Sequence, residues 1–163
     1  MGRGFKQVKD DEICYKETVR VHGKVIEVTP DYYPPTRASE RSAGYDFYAP
    51  VDVTIHPFKE VMVWTNVKAY MEEDEVLKLY PRSSLGSKGM ILQNTVGVID
   101  ADYYENNLND GNIGVKLYNT SGTTIQIKAG ERFVQGVFQK YLKADDEEVL
   151  VDVREGGFGS SGK

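Results

Sequence analysis

Apolar residues in this chain recur at every second position in short runs, and turn residues end each run before it can lengthen. Ile113-Gly114-Val115-Lys116-Leu117-Tyr118 alternates cleanly, and so does Thr124-Ile125-Gln126-Ile127. A period of two lines one face of an extended strand, whereas a helix face needs spacings of three and four. No long stretch at helical spacing occurs. Val19 to Val28 reads as strand material bent at Gly23, and 51–53, 60–64, 76–80, 133–138 and 149–153 add further strands. Many short strands between turn signals predict an all-β sandwich or barrel. One short helix is predicted, opening at Ser83 or Ser84, where serine caps well, and running toward Lys88. Residues 1–12 read as loose, Asp145 to Glu148 as a solvated turn, and Tyr104 to Gly111 (YENNLNDG) as a polar hairpin tip.

Bulk properties narrow the chemistry. The 163 residues make one domain's worth of core. A net charge of −5 leaves no basic face to displace counterions, which argues against nucleic-acid partners and makes any polyphosphate site local. No apolar stretch approaches the ~20 residues of a membrane span, and the N-terminus lacks a signal-peptide core. Cys14 is the one cysteine, and His22 and His56 are far apart, so neither a disulfide nor a zinc cage is expected. A cytoplasmic protein follows as the default.

Several short segments carry reactive residue types. Arg82 beside Ser83 and Ser84 offers a planar fork and two hydroxyls, suited to phosphate or to a plain surface turn. Asp100 ends the apolar run Gly97-Val98-Ile99, where a carboxylate emerging from a core can take a proton from water. Tyr103 reads either as a core residue or as a platform for a flat ligand. Asp46 suits a contact to metal-bound water or a turn cap. In the tail, Arg154, Phe158, Gly159, Ser160 and Ser161 combine glycine freedom, one aromatic anchor and several donors, as a lid over a flat anion would.

Together, Ala43 to Ala49 (AGYDFYA), Pro81 to Gly89 (PRSSLGSKG), Gly97 to Asn119, Gly130 to Phe138 (GERFVQGVF) and Arg154 to Gly162 (REGGFGSSG) resemble the five ordered motifs of the homotrimeric dUTPases. The resemblance implies a jelly-roll-like β fold with one short helix over residues 1–153, of which 1–35 are an N-terminal extension, and a lid arm over 154–163 swapped between subunits. It implies hydrolysis of dUTP to dUMP and pyrophosphate, with Mg²⁺ carried on the triphosphate and no direct protein ligand. Asp100 becomes the base that activates water for attack at the α-phosphorus. Tyr103 lies against deoxyribose and excludes a 2′-hydroxyl. Asn94, with backbone from Gly97, Val98, Ile99 and Gly114, reads uracil. Arg82, Ser83, Ser84 and Gln135 hold phosphates, Asp46 touches metal-bound water, and Arg132 is structural or intersubunit. Phe158 stacks on uracil while Arg154, Gly159, Ser160 and Ser161 close on the β- and γ-phosphates.

The chain departs from the family pattern in three places. The segment between Tyr103 and Ile113 is longer than the compact family hairpin, which bears on the register of Gly114. Arg154 stands one residue nearer Phe158 than is usual, and the lead before the first motif is long. The rival on the same fold is a dCTP deaminase, which needs a base and donors at the pyrimidine C4. A rival of another class is a regulatory, protein-binding role through the 104–111 segment or the N-terminal extension.

Overall fold

The computed structural model describes residues 2–149. The predicted strand over 149–153 falls almost wholly outside that range, and the 154–163 tail entirely so. In chain order the strands are β1 (Gly4–Gln7), β2 (Glu17–Val21), β3 (Lys24–Val28), β4 (Thr36–Arg37), β5 (Tyr45–Tyr48), β6 (Val53–Ile55), β7 (Glu60–Trp64), β8 (Val67–Tyr70) and β9 (Glu75–Pro81). The helix α1 (Ser83–Gly86) follows, then β10 (Met90–Leu92), β11 (Gly97–Asp100), β12 (Gly114–Asn119), β13 (Ile125–Ile127) and β14 (Arg132–Lys140). No helix among the described residues is long and apolar enough to cross a membrane.

One sheet runs β11-β9-β14-β5-β4 and a second runs β10-β12-β7, with β13-β6, β1-β8 and β2-β3 as pairs. Neighbours such as β5 and β14 are distant in sequence, so connections cross between layers, as in a jelly roll. Each layer contributes its inward row to one core. Phe47, Leu77, Leu79 and Phe133 come from the five-stranded sheet, Leu92, Val63, Val115 and Leu117 from the three-stranded one, and Ile55 and Ile127 from the β13-β6 pair. Strand β12 is buried at every second residue, as its alternation requires. Leu117 is fully buried and contributes on the order of 1.5–3 kcal/mol by leaving water.

The N-terminus is not loose. β1 pairs antiparallel with β8, and Phe5 packs its ring 5.2–5.4 Å from those of Tyr45, Phe47 and Phe138. Arg3 pairs with the buried Glu75, whose carboxyl it holds below the usual range. Sequence pattern missed this strand because a lone Phe5 in charged surroundings has no apolar neighbour two residues away. Its partners are all distant in the chain. The strand material expected to bend at Gly23 is a hairpin, with His22 and Gly23 at φ of 47° and 78° forming the two-residue turn that matches strand twist. It stands off the body, with Val25 61% exposed.

The 104–111 segment corrects a second expectation. It is not the tip of a hairpin, since β11 and β12 do not pair with each other, and although Asn107 and Leu108 are exposed, Asn106 and Asp110 are buried, as is the following Asn112. Asp110 Oδ2 accepts hydrogen bonds from Lys68 Nζ on β8 and from the Lys9 backbone N–H, both at 2.8 Å. Lys68, itself buried, also donates to Glu105 Oε1 at 2.9 Å. Asn112 Oδ1 accepts from the Asn66 N–H at 2.9 Å, and the Asn66 Oδ1 accepts from Cys14 N–H at 2.8 Å. A polar segment can fold inward when its groups find partners, and the N-terminal lead supplies several of them.

Burial pushes the Asp110 carboxyl up, but the bonds from Lys68 and Lys9 and the Lys68 charge outweigh it and hold the group below the ordinary carboxylate range. A carboxyl lower in the folded chain than in the unfolded one stabilises the fold at neutral pH. That share is lost as pH falls below about 4 and through the folded value. Asp110→Asn leaves a buried ammonium short of its partner and is expected to cost about 3 kcal/mol in urea denaturation at neutral pH. The gap from wild type should narrow in acid.

Candidate active site

Two groups of the predicted residues form around β9, one at each end. At its C-terminal end β9 runs into Arg82 and α1. Strand β14 lies between β9 and β5, so Gln135 stands opposite both Asp46 and Tyr80. Since Phe47 faces the core, its neighbour Asp46 points to the opposite face of the sheet. There Asp46 Oδ1 meets Arg82 Nε at 2.9 Å and Oδ2 meets Arg132 Nη1 at 3.3 Å. The register of β14 shifts between Arg132 and Val134, and an irregularity of this kind re-aims the side chains beside it. Asp46 is only 6% exposed while Arg82 and Arg132 are partly open, so one buried carboxylate aligns two outward cations.

Beside this clamp lies a cleft of about 310 Å³ lined by Tyr48, Arg82, Ser84, Lys88, Glu131 and Arg132, among others. Ser83 and Ser84 occupy the exposed first turn of α1, whose hydrogen bonds begin with the Leu85 N–H to Arg82 O at 3.1 Å. Three cations and two hydroxyls against two carboxylates, Glu131 and the clamping Asp46, leave a net positive cleft that suits a polyanion. Gln135 is half-buried, its Nε2 donating weakly to Pro81 O at 3.4 Å.

The second group gathers on β11 and the turn before it. Among the described strands β11 pairs with β9 alone and forms the sheet edge. In an antiparallel pair alternate residues turn their backbone N–H and C=O away from the partner, so this edge presents donors and acceptors in a row. Gly97 lies so close to β9 that a Cβ there would stand 3.0 Å from Leu79 Cβ. Val98 is 53% exposed, and Ile99 is half-buried against the core. Asn94 is exposed in the preceding turn, held beside β12 by the Gln93 N–H to Lys116 O bond at 2.9 Å. Gly114 opens β12 opposite Trp64, and a Cβ there would sit 2.6 Å from the indole ring. The long segment leaves Gly114 paired opposite Trp64 at the start of β12.

Asp100 ends β11 half-buried and precedes a 3-10 turn over Ala101–Tyr103, with its side chain making no cap bond to that turn. Tyr103 is 5% exposed and belongs to the core, its hydroxyl donating to Asn112 O at 2.8 Å.

Within one chain these groups stay apart. Asp100 stands opposite Val76 at the start of β9, whereas Arg82 follows Pro81 at its end. β9 is seven residues long, which at the rise of an extended strand separates its ends by about 20 Å. That is far beyond the reach of one triphosphate's α-phosphorus. Arg154, Phe158, Gly159, Ser160 and Ser161 lie outside the described residues. Sequence reading left Arg132 as structural or intersubunit and did not find its pairing with Asp46 or the place of Lys88 in the cleft. The Asp46–Arg132 partnership had no local signal, since it depends on the β5-β14 register.

Among the described residues no group of three or more His, Cys, Asp or Glu side chains stands ready to cage a metal ion. Both Asp46 oxygens face guanidinium groups. Mg²⁺ commonly keeps several waters and binds through substrate phosphates, and a divalent ion carried in that way would fit beside these residues.

Residues 32–162 match the family model for dUTPase. The deoxyuridine 5'-triphosphate nucleotidohydrolase of Lactococcus lactis subsp. lactis (strain IL1403) is 46% identical over 130 residues, covering 78% of this chain and 87% of its own length. The enzyme of the same description from Mus musculus is 38% identical over 133 residues, covering 79% of this chain and 78% of its own. Among solved structures, the dUTPase from Streptococcus mutans superposes with a TM-score of 0.68 at 37% identity, over 88% of this chain and 99% of that one. The dUTPase from phage phi11 of S. aureus has a TM-score of 0.66 at 19% identity, over 93% and 97%, a likeness of fold. The β2-β3 hairpin precedes the span that the family model matches.

Proposed function

The chain belongs to the dUTPase family, and from that premise we propose how its residues divide the work of splitting dUTP to dUMP and pyrophosphate. The reading rests most on the two ends of β9: a clamped pair of cations at one and a half-buried carboxylate at a backbone edge at the other. In a homotrimer the phosphate grip of one subunit faces the β11 edge of another, and the ~20 Å between the two ends of a single strand is what calls for this sharing.

Arg82 and the Ser83 and Ser84 groups hold the phosphates, Gln135 adds a donor, and Asp46 keeps the Arg82 fork aimed. The backbone edge of Gly97, Val98 and Ile99, with Asn94 and Gly114, pairs with the polar edge of uracil. A wrong base would cover those groups and leave them unpaired, which is how a hydrogen-bonding site discriminates strongly. A cytosine would present a donor where uracil presents an acceptor. Tyr103 forms a wall under the sugar. Asp100 removes a proton from water in line with the α-phosphorus, a reaction that needs positioning and charge stabilisation more than a covalent nucleophile. Mg²⁺ would supply charge neutralisation on the phosphates when bound, and Asp46 would contact it through water. The 154–163 arm of a further subunit closes the site, with Phe158 on the base and Arg154, Gly159, Ser160 and Ser161 on the outer phosphates. A cytoplasmic site of action accords with the free Cys14.

The test is pyrophosphate release in the presence of Mg²⁺ from dUTP, dCTP, dTTP and UTP in parallel, with ammonia assayed in the same samples. Pyrophosphate from dUTP alone is expected. In heavy-oxygen water the label must enter dUMP, since attack falls at the α-phosphorus. Label in pyrophosphate would contradict the mechanism, and ammonia from dCTP would move the chain to the deaminase branch. Chelating divalent ions should abolish turnover.

A further inference from the structure

A wall that excludes one hydroxyl works only if it cannot yield, and Tyr103 sits in a single 3-10 turn, an element with poor hydrogen-bond geometry of its own. Its rigidity comes from the segment that follows. The Tyr103 hydroxyl donates to Asn112 O and accepts from Asn109 Nδ2, each at 2.8 Å. The same Asn109 nitrogen reaches Asn112 O at 3.2 Å, so both of its hydrogens are engaged. Asn109 Oδ1 accepts from Asn106 Nδ2 at 2.9 Å and from the Gly111 N–H at 3.1 Å, which fixes the orientation of the amide.

The other end of Tyr103 is held as firmly. Its carbonyl accepts from Asn106 Nδ2 at 2.8 Å. Gly111, at φ 82°, lies where a Cβ would be 2.8 Å from that same carbonyl oxygen, so no larger residue fits. Asp110 and Asn112 then fasten the segment to Lys68 and Asn66.

We propose that Asn109 is a positioning residue that fixes the Tyr103 ring through its phenolic oxygen and thereby sets the discrimination between deoxyribo- and ribonucleotides. The proposal rests on the reading of Tyr103 as the sugar wall. It also gives the longer 104–111 segment a purpose, bracing the specificity residue from behind. A purely structural Asn109 would lower activity on both sugars alike. A positioning Asn109 changes their ratio, and does so only through the phenol.

The experiment compares kcat/KM for dUTP and UTP in wild type, Asn109→Ala, Tyr103→Phe and the double variant. Asn109→Ala should lower the dUTP to UTP ratio by about fivefold, the effect of losing one hydrogen bond to the phenol, and Tyr103→Phe, which loses two, by at least as much. The double variant should have a ratio no worse than Tyr103→Phe, because Asn109 acts on the ratio only through the phenolic oxygen that Tyr103→Phe already removes. An Asn109→Ala effect that is equal on the two substrates, or that adds in full to Tyr103→Phe, would overturn the proposal. If Asn109→Ala fails to fold, Tyr103→Phe still removes the bond from Asn109 together with that to Asn112 O, and an unchanged ratio there is equally fatal. Tyr103→Ala separates the two levels. A ratio that survives it defeats the sugar-wall reading, whereas a ratio lost with Tyr103→Ala but kept with Asn109→Ala defeats only the role of Asn109.

Discussion

Asp100→Asn is expected to lower kcat for dUTP by roughly 10²–10⁴-fold, the range that a positioned general base contributes, while nucleotide affinity stays near wild type. Asparagine keeps the shape of the side chain and one acceptor oxygen but cannot take up a proton at neutral pH. Asp100 stands at the strand end, half-buried, and its backbone is fixed by pairing opposite Val76, so the change does not disturb a packed interior. Titration with a non-hydrolysable dUTP analogue measures binding, and single-turnover kinetics measure the chemical step. A turnover equal to wild type would place the base elsewhere, with the exposed neighbour Asp102 as the next residue to change.

Removing residues 154–163 should reduce kcat/KM by about 10²-fold or more, because closure over the nucleotide brings the reacting atoms into line and excludes water. The folded body should keep its melting temperature. The core cluster among the described residues runs from Phe47 to Val134, all ahead of the truncated segment. Thermal unfolding and activity therefore separate in this variant. Full activity after truncation would end the lid reading. A collapse in melting temperature would show that the tail is part of the fold.

What the sequence made legible followed from locality. β7 and β12 were readable because alternation and a turn suffice to define them, and β7 falls on the expected 60–64. β8 was not, since Val67–Tyr70 is buried almost throughout and carries Lys68, a charge that the distant Asp110 and Glu105 make tolerable. β1 likewise exists through Tyr70, Phe47 and Phe138, all far along the chain. YENNLNDG looked like a surface tip because polarity usually means exposure. Its asparagines instead satisfy one another and the Tyr103 carbonyl and hydroxyl. The site divides in the same way. Arg82, Ser83 and Ser84 are contiguous and stood out. The Asp46 clamp depends on the register of three strands and did not.

A working site that takes its phosphate grip from one subunit and its base from another can be rebuilt from two inactive variants. Arg82→Ala and Asp100→Asn proteins are unfolded together, refolded at equal concentration, and assayed for pyrophosphate release from dUTP. If Arg82 and Asp100 come from different chains of a symmetric oligomer, random assembly restores both residues in about one quarter of the sites, and activity should return to that fraction of wild type. If both residues serve the same site from one chain, every mixed site lacks one of them and no activity returns.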